Sequence, residues 1–278
     1  MIELPSSRYA LLLPSLQAVP INHLFARSVL ERQVDGRVWV DAPGSPGVHH
    51  VLHPYGMSLV WGSLAGANSD ALANHFCQGR YRTCDEWLQV DPRWKTLSLE
   101  RLLGIGIPRP EETPEEAHVQ RYTRVNFKFD RAAFEAHGAC PPISGDFRLR
   151  PMTVDEFTLP DISVSPHHFW RDADQFLSHG GGWCVEQDGE ICAIAFSCFR
   201  HDAMLEIGIE TKVQYRGRGL AGVAAAAIIA QCLATGLEPV WSCRKENVTS
   251  LSLATRMGFT PTLELPYYRL PASATGNS

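Results

Sequence analysis

Between residues 204 and 211 apolar and polar side chains alternate, with Leu205, Ile207 and Ile209 on one face and Glu206 and Glu210 on the other. That period of two is the mark of a β-strand. The same alternation runs through Arg37-Val-Trp-Val-Asp41 and Arg124-Val-Asn-Phe-Lys-Phe-Asp130. Further strands are predicted at 48–52, 57–61, 147–152, 239–243 and 267–270, and a hairpin at 183–187 and 190–197, turned at Asp188-Gly189. Helical spacing of Leu24, Phe25, Val29 and Leu30 predicts a helix over 22–33, stopped by Asp35-Gly36. Short helices are expected at 71–76, capped by Ser69 or Asp70, and at 84–90, and longer ones at 219–235 and 247–257. Periodicity stops over 137–146, where a Pro pair meets two Gly, and the domain boundary is placed there. The chain thus reads as an α/β domain over 1–140 and a second over 147–278, in which strand, helix, strand, helix and strand alternate.

The chemistry concentrates where the strand over 204–211 runs into Gln214-Tyr-Arg-Gly217-Arg-Gly219 and a helix begins at once. Gly217 and Gly219 remove side chains where a backbone can approach an anion, and a helix start aims unpaired N–H groups and a positive dipole end at the same spot. Arg216 and Arg218 add charge suited to a pyrophosphate. A nucleoside triphosphate loop would need Lys-Ser or Lys-Thr after the second glycine, and Leu220-Ala221 follow instead. Gly217-Arg-Gly219-Leu-Ala-Gly222 formally satisfies a dinucleotide fingerprint, but the Arg pair and the lack of a second nucleotide-binding half argue against it. The helix that follows, rich in Ala from 221 to 230, is apolar on every side and is expected to be buried.

Composition narrows the picture. Of 278 residues, 45% are hydrophobic and 20% charged, which is globular and far from disorder. The net charge is −5, with 14 basic and 16 acidic residues up to position 146 and 11 and 14 after it. Neither half carries the basic excess that nucleic acid requires, so no nucleic-acid partner is expected. The start of the chain lacks a basic region followed by an apolar stretch, and the apolar run near 220–230 is too short to span a bilayer. A cytoplasmic protein with no membrane partner follows as the expectation, its eight Cys reduced and mostly buried.

These residues carry a family resemblance. Gln214-x-x-Gly217-x-Gly219 resembles the cofactor loop of the GNAT superfamily of acyl-CoA N-acyltransferases, and Asn247-Val-Thr-Ser250-Leu-Ser-Leu253-Ala-Thr-Arg-Met-Gly258-Phe259 resembles its Asn-initiated helix ending in Gly-Phe. The stretches around 205–221 and Pro239-Val-Trp241-Ser-Cys243 are similar to the zwittermicin A resistance-like subfamily, as is Arg37-Val-Trp-Val-Asp41 with Trp61-Gly62. The resemblance implies a C-terminal GNAT fold, a mixed and mostly antiparallel sheet flanked by helices. The smaller α/β domain before it is expected to be an acceptor-binding or structural half, or a degenerate copy of the same fold. It also implies acetyl-CoA as co-substrate, without metal. The pyrophosphate would lie on the backbone of Arg216, Gly217, Arg218, Gly219, Leu220 and Ala221, and the pantetheine arm along Ile209, Thr211 and Val213, met by Asn247 and Ser250.

Acetyl transfer to an amine needs a base near the strand before the loop. Glu206 and Glu210 share a face there, and Glu206, deeper in the strand, is the preferred base; a structural salt-bridge role is the alternative for either. Many relatives place a Tyr four residues before the Gly of Gly-Phe as the acid, where this chain has Ala254; Tyr267, Tyr268, Cys243 or water would substitute. His49, His50, His53, His167 and His168 lack Cys or acidic partners at ligand spacing, so no metal is expected. The reading is an N-acetyltransferase acting on a small-molecule amine as a monomer or homodimer. Its rivals are a non-catalytic acyl-CoA-binding regulator and an acyltransferase for protein or aminoacyl-tRNA.

Overall fold

The computed structural model describes residues 1–63, 69–94, 100, 103, 118–137, 143 and 145–273. In chain order these form β1 (Ile2–Glu3), α1 (Leu13–Gln17), α2 (Leu24–Leu30), β2 (Arg37–Val40), β3 (Val48–Leu52), β4 (Met57–Gly62), α3 (Ser69–Gln78), β5 (Glu86–Val90), β6 (Gln120–Phe129), α4 (Arg131–His137), β7 (Phe147–Pro151), α5 (Ala173–His179), β8 (Gly182–Gln187), β9 (Glu190–His201), β10 (Met204–Thr211), α6 (Leu220–Ala234), β11 (Glu238–Val240), β12 (Ser242–Arg244), α7 (Val248–Arg256) and β13 (Phe259–Leu270). They divide into two compact units, one of Met1–Arg124 with Leu265–Ser278, the other of Val125–Glu264. The Pro- and Gly-rich segment 137–146 falls within the second unit, and part of it lies outside the described residues. The division comes instead at 124/125 and 264/265, inside β6 and β13: β6 has no breaker residue to signal a change of neighbourhood, and Pro266 next to the second division leaves β13 unbroken.

In the first unit β1, β2, β3 and β4 pair antiparallel in sequence order, β5 joins β4 in parallel, and Tyr268–Leu270 of β13 closes on β5 antiparallel. Val48, Val60, Leu72, Phe76, Leu88, Tyr268 and Leu270 form a core between sheet and α3. Of the stretch 84–90, expected as a helix, residues 86–90 form strand β5. Its polar residues hide the pattern, because Glu86 and Gln89 are buried along with Leu88. A strand enclosed on both faces shows no alternation.

In the second unit five strands take the order β11-β10-β9-β8-β7, antiparallel except for the β10–β11 pair. The β8–β9 hairpin turns where expected, with Asp188 and Gly189 both at positive φ (52° and 82°), the signature of the tight primed turn. α6 lies on the face carrying Leu205 and Ile207, and Val223, Ala224, Ala225, Ile228 and Ile229 are enclosed there. The alanines allow close approach, while each buried Val or Ile contributes about 1.5–3 kcal/mol. The opposite face packs aromatics: Phe169 meets Phe196 and Phe199 at 5.8 and 5.4 Å, and Trp170 donates its indole N–H to the Ser197 carbonyl at 2.7 Å. Among the described residues no helix is long and apolar enough to cross a membrane.

Candidate functional site

Strand β10 pairs with β9 over its whole length, but with β11 only from Met204 to Glu206. Beyond that point the chain after β11 turns away. Trp241 is the switch residue: its carbonyl accepts from Phe127 N–H at 3.3 Å, and β12 takes its place beside β6. Trp241 is itself buried, meets the Phe259 ring at a tilt with centroids 5.3 Å apart, and donates its indole N–H to Ser250 Oγ at 3.2 Å. One edge of β10 from Ile207 to Thr211 is therefore without a strand neighbour among the described residues.

The same strand leads into a 3-10 turn at Val213–Tyr215 and then the glycine loop. Gly217 (φ 78°) and Gly219 (φ 79°, the N-cap of α6) both adopt the left-handed region that disfavours side chains. A Cβ at either would meet nothing within 4 Å, so the glycines are set by conformation and the space over them is open. Leu220 and Ala221 supply the first N–H groups of α6, ahead of the bonds from Gly222 and Val223 to the Gly219 carbonyl. Arg216 and Arg218 are exposed beside them, and the Arg218 guanidinium lies over the Tyr215 ring at 5.5 Å.

The loop is held by a residue that sequence reasoning missed. Glu190, first in β9, accepts from Tyr215 Oη at 2.8 Å, Lys212 Nζ at 3.1 Å and Gln214 Nε2 at 3.2 Å. The Tyr215 and Lys212 donors hold the Glu190 carboxyl below its ordinary range, and the same contact raises the Tyr215 phenol to about 12. Glu210 is the other anchor. Its carboxylate accepts from Ser163 Oγ at 2.7 Å, from its neighbour's backbone N–H at Thr211 (3.0 Å) and from Arg216 Nη2 at 3.2 Å.

Glu206 is placed differently. It is 5% exposed and accepts from Ser242 Oγ at 2.7 Å, at the point where β10 and the chain entering β12 separate. Next to it Gly208 is packed so closely that a Cβ would come within 2.5 Å of Cys198 Sγ and 2.8 Å of Phe196. Asn247 caps α7 by accepting from Ser250 N–H at 3.1 Å, so Asn247, Ser250 and Trp241 form one connected cluster. Ala254 is fully buried in the core of the second unit. Tyr267 belongs to the first unit, its ring stacked on Trp87 at 5.3 Å with Arg124 over it at 5.5 Å. The structure thus gathers Glu206, Glu210, Ile209, Thr211, Val213, 216–221, Asn247 and Ser250 in the second unit, and Tyr267 is not part of that group. Among the described residues no three His, Cys, Asp or Glu side chains converge as metal ligands would.

A strand that loses its neighbour halfway and runs through a two-glycine turn into a buried helix is the arrangement that the resemblance to GNAT acyltransferases implies. The model of the GNAT acetyltransferase family matches residues 19–268, and the chain belongs to that family. It is 34% identical over 100 residues to YdfB, an uncharacterized N-acetyltransferase of Bacillus subtilis (strain 168); that match spans 36% of this chain and 38% of the relative. A GCN5-related N-acetyltransferase-like protein from Streptococcus suis 89/1591 has the same fold, with a TM-score of 0.69 at 21% identity over 95% of this chain and 99% of its own. A tandem GNAT protein from the clavulanic acid biosynthesis pathway aligns over 99% of this chain and 98% of its own, with a TM-score of 0.60 and 12% identity. Its tandem build fits a fold in two α/β parts.

Proposed function

We propose that the protein moves the acetyl group of acetyl-CoA to a primary amine of a small molecule by direct attack in a ternary complex. The observation that carries this reading is the uncovered edge of β10, which runs straight into the glycine loop and the start of α6. Backbone groups of Ile209 and Val213 suit the amide-rich pantetheine arm, which pairs with a strand edge as a missing strand would, while Thr211 has its N–H on Glu210 and its carbonyl on Arg216. The N–H groups of 216–221, with the Arg216 and Arg218 guanidiniums, suit the pyrophosphate. Asn247 and Ser250 meet the arm from the start of α7.

In this reading the amine nitrogen bonds to the thioester carbon and the C–S bond breaks. Glu206 takes the proton the amine sheds, directly or through water, and the departing thiolate is protonated by water. Glu210 serves the loop, since its oxygens are committed to Arg216, Ser163 and the backbone. Tyr267 is given no part, because its ring is packed within the first unit. The buried Ala254, where many relatives carry Tyr, favours a second reading in which acyl-CoA is bound without turnover.

Isothermal titration with acetyl-CoA, followed by thiol release against a panel of amines, separates these readings. Folded protein with no affinity tighter than the millimolar range sinks both. Binding without CoA release for any amine leaves the second.

A further inference from the structure

The first unit contains a cavity of about 400 Å³ whose wall includes Arg37, Trp39, Asn74, His75, Arg80 and Tyr81. That size is within the span of small-ligand sites. No acidic side chain is among its lining residues. Arg37 is held in place, giving two hydrogen bonds to Glu3 at 2.9 and 2.6 Å and lying over the Trp39 ring at 4.7 Å. Arg80, in contrast, is exposed and has no hydrogen bond or ion pair among the described residues.

Behind the wall runs a chain of polar groups. His75 Nε2 meets His50 Nδ1 at 3.0 Å, and His50 Nε2 meets Glu86 Oε1 at 2.8 Å. Glu86, 1% exposed, also accepts from Ser58 Oγ at 2.7 Å and Tyr81 Oη at 2.8 Å. Burial pushes its carboxyl up, but His50, the Ser58 hydroxyl and the Arg82 guanidinium at 3.6 Å outweigh it and hold it below the ordinary range. His75 is stacked on Tyr81 at 4.3 Å, and burial with nearby cations pushes its imidazole down to about 2, so it is neutral. Its Nδ1 has no hydrogen-bond partner among the described residues. An apolar filling would stabilise the space between β3, β5 and α3 at least as well as a buried carboxylate with two imidazoles. Such a network leading to a cavity wall is the arrangement expected of a functional site.

We propose that this cavity binds a small ligand carrying an oxyanion, a carboxylate or a phosphate, held by the Arg80 guanidinium and by the Nδ1–H of His75, whose ring Glu86 and His50 fix from behind. An oxyanion at Nδ1 places the proton there. His75 Nε2 then accepts from His50 Nδ1–H and His50 Nε2–H goes to Glu86, so in the bound state His50 carries both protons as an imidazolium facing the Glu86 carboxylate, one proton being taken up together with the oxyanion. The site lies wholly within the first unit and does not depend on the acetyl-CoA reading.

The test is calorimetric titration of the full chain with inorganic phosphate and, separately, with succinate at fixed ionic strength. CoA is present at saturation to occupy the loop of the second unit. Saturable binding of at least one probe is expected, weakened about tenfold or more by Arg80→Ala and by His75→Gln. Saturation by phosphate alone assigns a phosphoryl group, and by succinate alone a carboxylate. No saturation by either probe up to about 10 mM, or an affinity unchanged in either variant, overturns the proposal. Should His75→Gln fail to fold, the exposed Arg80→Ala decides alone, and that comparison holds whether or not CoA binds.

Discussion

The carboxylate of Glu190 accepts the phenolic O–H of Tyr215 at 2.8 Å, joining the start of β9 to the turn that precedes the glycine loop. Lys212 and Gln214 share the same carboxylate, so one side chain holds three of the four residues before Arg216. Replacing Glu190 by Gln puts an amide N–H₂ against these donors and loosens the turn. The expected result is a KM for acetyl-CoA raised about tenfold with kcat changed by less than about twofold, read from steady-state kinetics. A fall in kcat at constant KM would show that Glu190 acts elsewhere.

Glu206→Gln keeps the shape and the bond from Ser242 Oγ but removes the proton acceptor. Turnover should fall by about 10²- to 10⁴-fold, and calorimetric affinity for acetyl-CoA should stay as it is. Full activity in this variant would transfer the role of base to another group.

Gly219→Ala tests the loop through its backbone. With φ at 79° and nothing within 4 Å of the added Cβ, the penalty is conformational, about 1 kcal/mol. Urea unfolding should show that loss, and acetyl-CoA should bind more weakly because the methyl group enters the space over the loop. Gly219→Asn should cost less stability, since Asn visits this region more readily.

Stability should fall in mild acid. Burial lowers His53 from 6.5 to about 3, so the unfolded chain takes up its proton first as pH drops. The stabilisation from the neutral ring is complete above pH 6.5 and is lost as pH falls from 6.5 toward 3. His53→Asn, which keeps an acceptor for the Tyr55 N–H, should flatten the dependence of the urea midpoint on pH over that window. A slope equal to that of the parent would show that His53 does not contribute.

The parts of the second unit that sequence revealed are those whose signals are local. Alternation marked β10, two glycines at positive φ marked the turn, and an all-apolar run of small residues marked α6. Asn247 was legible as a helix start because the cap forms within four residues. The anchor Glu190 was not, because it meets its partners only once β9 and β10 pair. Trp241 gave no sign that the segment over 239–243 changes sheets, since both halves keep strand geometry and only the neighbour differs. In the first unit β5 was mistaken for a helix, and the meeting of His50 with Glu86 depends on the order of β3, β4 and β5. Tyr267 is one of the substitutes expected for the acid absent at Ala254, but β13 carries it past the division at 264/265.

The way β13 crosses that division sets an order of assembly during synthesis. Residues 125–264 are continuous, so the second unit is complete as soon as they leave the ribosome. The first unit, although its first 124 residues appear earlier, must wait for Tyr268–Leu270 to cover β5. Until then β5 presents an open strand edge, the kind of surface that recruits a strand from another nascent chain. The half of the protein that is made first is therefore the half that finishes last.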